Sequence, residues 1–186
     1  MMLRPLVLLA SMVAANAGWI SPGFNYPDEA TDILKNVTHV EAYRVGLLKD
    51  HPGFGGKVDG FAAMETAHIT PAVARRATAI ALDPANFSQL MEAGKFQPTI
   101  AWRFYRLFPG GMGQDAVDML VDFNSNEVLI VSRDVHLHEY FRTMAGCQPS
   151  RQKLLKLACD TFPNDADLAK LASTPHAGPA TTQSSQ

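Results

Sequence analysis

The stretch DAVDMLVDF-NSN-EVLIVSR, residues 115–133, constrains the fold more than any other part of the chain. Val117, Met119, Val121 and Phe123 fall on one side of it, and Asp118, Leu120 and Asp122 on the other. A period of two is that of a β-strand. Asn124-Ser125-Asn126 supplies turn formers at hairpin spacing between the two runs. An apolar side opposed to one with two carboxylates is the pattern of an antiparallel sheet, one face on a core and the other in water.

The remainder supplies neighbours for that hairpin. PTIAWRFYRLF (98–108) alternates and is aromatic, with Ile100, Trp102 and Phe104 opposed to Arg103 and Tyr105. THVEAYRVGLL (38–48) and FAAMETAHI (61–69) read as two further strands, separated by a loop rich in Gly, Pro and Asp. Thr70-Pro71 is a helix start, a cap residue followed by proline at the first helical position. The helix 71–82 carries Val73, Ala77, Ile80 and Ala81 on one face and ends before Asp83-Pro84. Ser150 is the expected cap of a second helix whose stripe is Leu154, Leu155, Ala158, Cys159 and Phe162. Pro163 stops it, and DADLAKLA can form one shorter helix. The expected fold is α+β: an antiparallel sheet of about five strands with two main helices packed on one face. One domain should occupy residues 36–172, between an irregular lead-in at 18–35 and a disordered tail at 173–186.

The N-terminus points to export. Arg4, the apolar run Leu6 to Ala15 and the series Ala15-Asn16-Ala17 have the layout of a secretory signal peptide over residues 1–17. The run falls short of the roughly 20 apolar residues that a membrane anchor needs, and no later segment is apolar enough to span a bilayer. Without residues 1–17 the chain has 15 Lys and Arg against 18 Asp and Glu, a net charge of −3 with histidine neutral. A nucleic-acid binder ordinarily carries a basic excess or stripe. Here Arg75-Arg76 and the spaced Arg151, Lys153 and Lys156 fit solvated helix faces instead.

Export also changes what the two cysteines imply, because disulfides form in oxidising compartments. Cys147 and Cys159 are the only pair, and their spacing excludes a CxxC redox or zinc-ribbon motif. A Cys147–Cys159 bridge is expected, and its rival is a buried free Cys159 on the helix stripe.

No complete catalytic signature is present. FPGGMGQDA and GFGGKVDG are glycine-rich, but neither leads into a helix N-terminus as a phosphate-cradling loop does. Ser21, Ser88, Ser125, Ser132 and Ser150 sit in turns, strand ends or caps, away from any glycine elbow. DVHLHEYF (134–141) places His136 and His138 on one face of an extended segment. Zinc usually takes three or four protein ligands, and nothing in the spacing of His39, His51 or His68 directs them here. The plainer reading is an edge strand with Val135 and Leu137 buried and the histidines wet, with no metal and no cofactor. Arg103 and Tyr105 on one strand, with Asp118 and Asp122 on the next, form either a polar binding surface on the open sheet face or ordinary cross-strand pairing in water.

The centre of the chain resembles a family of uncharacterised exported or lipid-anchored bacterial proteins. The resemblance is carried by VEAYRV, ARRATAIALDPANF, FQPTIAWRFYR, VDMLVDFNSNEVLIV and a C-terminal helix ending in Phe162-Pro163, in order over about residues 38–172. Members of that family often have cysteines before and just after the hairpin turn. Asp122 and Ser125 stand there in this chain, so no metal or thiol role transfers. The resemblance implies fold and export, and no activity.

The functional expectation is a noncatalytic binding or interaction module of the periplasm or extracellular space, acting on an envelope or extracellular partner. The alternative is a metal-dependent hydrolase using His136 and His138. Export makes a direct prediction: the mature protein begins at Gly18, without an acyl chain. Intact mass of the secreted product checks it, and a retained N-terminus or an added lipid would reject it.

Overall fold

A computed structural model describes residues 28–51, 53, 56–90, 95–108, 110, 113–134 and 139–174, and leaves the side chains of Asp134 and Glu139 undescribed. The elements in chain order are α1 (Asp28–Lys35), β1 (His39–Gly46), β2 (Lys57–Val58), β3 (Phe61–Ala67), α2 (Pro71–Leu82), β4 (Ile100–Leu107), β5 (Gln114–Asp122), β6 (Glu127–Asp134), β7 (Glu139–Gly146), α3 (Arg151–Thr161) and α4 (Ala166–Ser173). The strands form one antiparallel sheet in the order β2-β3-β1-β4-β5-β6-β7. The expected five strands and two helices are thus corrected to seven and four among the described residues, within the broad α+β class. The five expected strands are β1, β3, β4, β5 and β6. The additions are the two-residue β2, the edge strand β7, and α1, which occupies the end of the lead-in expected to be irregular, while α4 is the shorter helix expected at DADLAKLA beside the two main ones.

The alternation seen in the hairpin organises the whole sheet. Val117, Met119 and Val121 of β5 align with Phe104, Trp102 and Ile100 of β4 on one face, and Ile130 and Val128 of β6 continue the row. All are buried, and Ala30, Ile33 and Leu34 of α1, Val73, Ala77 and Ala81 of α2, the α3 stripe and Leu168 of α4 cover them. The helices therefore all lie on one side of the sheet. None of the described helices is long and apolar enough to cross a membrane.

Local chemistry fixes the helix starts. Thr70 accepts the N–H of Val73 at 3.3 Å, with Pro71 at the first position of α2, as the sequence suggested. Asp165 caps α4 by accepting the N–H of Leu168 at 2.9 Å. Ser150 precedes α3 as expected, but its hydroxyl donates to the Asn86 carbonyl at 2.7 Å and does not cap the helix. That bond ties the start of α3 to the turn after α2. Beside it, Ser88 exchanges two backbone hydrogen bonds with Gly146 at the end of β7, 2.8 and 2.9 Å long. A Cβ at Gly146 would lie 2.5 Å from Ser88 Oγ, so a side chain there would force the serine hydroxyl to turn aside.

The sheet curls. β2–β3 and β7 stand at opposite ends of the strand order, yet Tyr140 of β7 donates to Asp59, in the β2–β3 turn, at 2.5 Å. The result is a half-barrel with the helices outside and the other sheet face turned inward. A bulge adds local twist where β1 meets β3, between Arg44 and Val45.

Cys147 and Cys159 are free thiols, which corrects the expected bridge. Eight residues of helix separate Arg151 from Cys159, a rise of about 12 Å, whereas a disulfide needs Cα atoms within about 7 Å. Cys147 lies before the helix starts, fully buried in the core, and burial pushes its thiol up to about 12. Nonreduced, unfolded protein should therefore titrate two thiols, and Cys147 should resist alkylation until the fold opens. A single rapidly alkylated Cys147 in native protein, or no thiol after unfolding, would refute this.

Candidate functional site

The inward face of the sheet collects the residues singled out from the sequence. β4 and β5 pair with Arg103 opposite Asp118. Their side chains meet in a two-bond clamp, Nε to Oδ1 at 2.5 Å and Nη2 to Oδ2 at 2.8 Å. Asp118 is 1% exposed, so this is a buried pair and not the solvated contact an open face would give. Its hydrogen bonds to Asp118 hold the Arg103 proton more firmly than usual. Arg133 of β6 brings Nη2 to 3.5 Å from Asp118 Oδ2 and 3.6 Å from Asp59 Oδ1. Arg142 of β7 reaches Asp59 Oδ2 at 3.5 Å.

Asp59 owes its position to a tight hairpin. Asp59 and Gly60 have φ of 44° and 86° between β2 and β3. Positive φ at both central residues is the requirement of a type I′ turn, which Asp-Gly meets. The sequence carried this signal in Lys57-Val58-Asp59-Gly60-Phe61, hidden by the loop-like residues ahead of it.

A second polar group lies farther along the same face. Glu41 of β1 accepts from Tyr105 Oη at 2.7 Å and from Tyr43 Oη. Burial alone would raise Glu41, but the hydrogen bonds from Tyr43 and Tyr105 outweigh it and leave the carboxyl below its ordinary range. Both tyrosines are pushed up, first by burial and then by Glu41. They serve as neutral donors to a charged acceptor. His39 stacks on Tyr105, centroids 5.7 Å apart, with Nε2 3.5 Å from Glu41 Oε1.

Asp122 belongs to a different construction. Buried at the hairpin, it accepts the N–H groups of Gln97 at 2.8 Å, Asn124 at 2.8 Å and Ser125 at 3.3 Å. Arg103, Tyr105 and Asp118 therefore come together while Asp122 builds the turn. In both places the polar groups are engaged with one another.

At one place on the helix side, beyond the Arg44–Asp165 and Arg106–Asp115 pairs, the position is reversed. β3 pairs with β1 only as far as Ala67 opposite Ala42, and the chain then leaves for α2. The first residues of β1, from His39 to Glu41, have β4 on one side and no described strand on the other. A groove of about 810 Å³ opens there, between the end of α1, β1, the segment after β3 and α2. Val37, Ala67, Ile69, Ala74 and Leu82 line it, five of the eight partly buried apolar residues packed against the main core. Lys35 and Arg75 stand on its walls and form no ion pair with any described residue. The groove escaped the sequence reading because one wall is α1.

His39 and His68, weighed earlier as remote metal ligands, line this groove. The described residues include no group of three or more His, Cys, Asp and Glu placed to hold a metal. His136 and His138 lie outside the described residues.

The buried clamp yields a stability prediction. Arg103→Leu leaves Asp118 without its two-bond partner, and breaking a buried pair costs about 3–5 kcal/mol. The loss should fall at the low end, because Arg133 remains 3.5 Å from Asp118. Urea unfolding of both proteins measures it, and a change below about 1 kcal/mol, the range of exposed pairs, would mean the site is wet. No family model, curated protein or solved structure matches this chain.

Proposed function

We propose that the chain is an exported, noncatalytic binding module of the periplasm or extracellular space, and that the groove beside β1 is its binding site. One observation carries this reading: half-buried apolar residues and two cations with no acidic partner among the described residues coincide there, in a concavity of about 810 Å³. Ligand sites are ordinarily apolar clefts of roughly 300–1,000 Å³ with a few polar groups that fix orientation. The inward sheet face has the richer set of ionisable groups, but its clamps connect strands β4, β5, β6 and β7 and the β2–β3 turn. Groups engaged in this way support the fold. Groups with open valence are available to a ligand.

The binding reading also suits the protonation states. Neutral tyrosines donating to an ionised glutamate, and arginines held on aspartates, are arranged to stay as they are. General acid–base work asks for a group that titrates near the operating pH. Export rests on the N-terminal pattern and on the resemblance to exported and lipid-anchored proteins.

The test is extraction. Protein isolated from its native envelope or medium should release a small molecule in near-stoichiometric amount, identified by mass spectrometry. Ala74→Trp, which fills the groove from α2, should abolish retention while leaving the unfolding midpoint close to that of the parent. Retention undiminished by a folded Ala74→Trp would move the site elsewhere and end this reading.

A further inference from the structure

The chemistry of the groove narrows what it holds. Its apolar floor is formed by Leu34, Val37, Ile69 and Leu82, contributed by α1, the two segments flanking the strands, and α2. Lys35 at the end of α1 and Arg75 early in α2 supply two cations that no described acid neutralises. α2 also has no acidic residue in its first turn, so the positive end of its dipole, beside His68 and Pro71 in the same wall, is uncompensated by a side chain of that turn. The one acid among the lining residues, Glu41, is engaged by the hydroxyls of Tyr43 and Tyr105.

The backbone adds a further polar group. Val45 of β1 donates its N–H to the Thr99 carbonyl at 3.1 Å. A regular antiparallel ladder continued from that bond would turn the backbone groups of Val40 toward the side that β3 vacates. Val40 lines the groove.

Resting on the binding reading above, we infer that the groove takes a single-chain amphipathic anion, a free carboxylate on an alkyl chain. The chain covers the apolar floor, and the carboxylate lies between Lys35 and Arg75. A cationic amphiphile would bring like charge against those two residues. An uncharged one would cover the floor and leave both cations without a counter-charge.

Direct binding of dodecanoate, dodecanol and dodecyltrimethylammonium, each below its micellar concentration, tests the inference by calorimetry. Dodecanoate should bind once per chain and about ten-fold or more tighter than dodecanol, the value of one charge-assisted contact. Lys35→Gln and Arg75→Gln should each weaken dodecanoate about ten-fold and leave dodecanol unchanged. Ala74→Trp and, as a second groove-filling change, Thr78→Trp should remove binding of both, with folding checked by circular dichroism and thermal unfolding.

Dodecanol binding as tightly as dodecanoate, insensitive to the charge variants, would overturn the anionic ligand while leaving the groove as the site. Dodecanoate binding that survives both groove-filling variants would overturn the location and the reading beneath it. No binding of any of the three amphiphiles, with a native extract still retained through Ala74, would overturn this inference alone.

Discussion

Asp118 is 1% exposed, and a carboxylate that far from water is tolerated only when paired and hydrogen-bonded. Everything on the inward face of the sheet follows from meeting that demand. Arg103 comes from the strand before it, Arg133 from the strand after, and Arg133 in turn approaches Asp59 from the far edge of the sheet. The network thereby connects strands that are not neighbours. Asp59 is placed by a two-residue turn whose backbone only a few residues adopt without strain. Its contacts with Arg133, Arg142 and Tyr140 join the two edges at one end. Twist alone would coil such a sheet, and this network selects how far it closes.

The two faces solve the same problem with different materials. Outside, the large side chains Trp102, Phe104, Phe123, Met119 and Ile130 are fully buried beneath helices, and truncating one of the aromatics would cost about 3–5 kcal/mol. Inside, none of the described helices covers the sheet, and curvature covers it instead. Leu120, Leu129, Ala101 and Val131 pack with Phe61 of β3 and with Phe96 from the segment leading into β4, whose rings meet edge to face at 6.0 Å. The polar network occupies the rest of that face. A flat sheet with this sequence would leave both the apolar cluster and the aspartates in water.

What could be read from the sequence divides along physical lines. β4 and β5 were legible because Ile100, Trp102 and Phe104, and Val117, Met119 and Val121, recur with a period of two, β6 because the apolar run Val128 to Val131 follows a turn, and α2 because Thr70-Pro71 marks its start. That Arg103 could face an aspartate across antiparallel strands was legible, and the register that makes it Asp118 came with the structure. Its burial was not, since curvature is a property of seven strands together and leaves no mark on any one of them. α1 carries Ala30, Ile33 and Leu34 at helical spacing, but only eight residues of it, after a run of turn formers. β7 has Phe141, Thr143 and Ala145 toward the helices and Tyr140, Arg142 and Met144 inward. Mixed residues on both sides erase the alternation that identified its neighbours. The thiols misled for a different reason: export and pairing count say nothing of the helical rise between two positions.

The groove is a consequence of the same curl. To bring Asp59 against β6 and β7, the β2–β3 hairpin must lean across the inner face, and a bulge beside Val45 turns it that way. β3 then runs out of β1 at Ala67, three residues short of where β1 begins. α2 starts from that point and covers the core with alanines at 77 and 81, which let it approach closely but span little width. The strip between α1 and α2 is left with its apolar residues half covered and Lys35 and Arg75 without an acidic partner among the described residues. Closing the inner face and opening the outer one are therefore coupled.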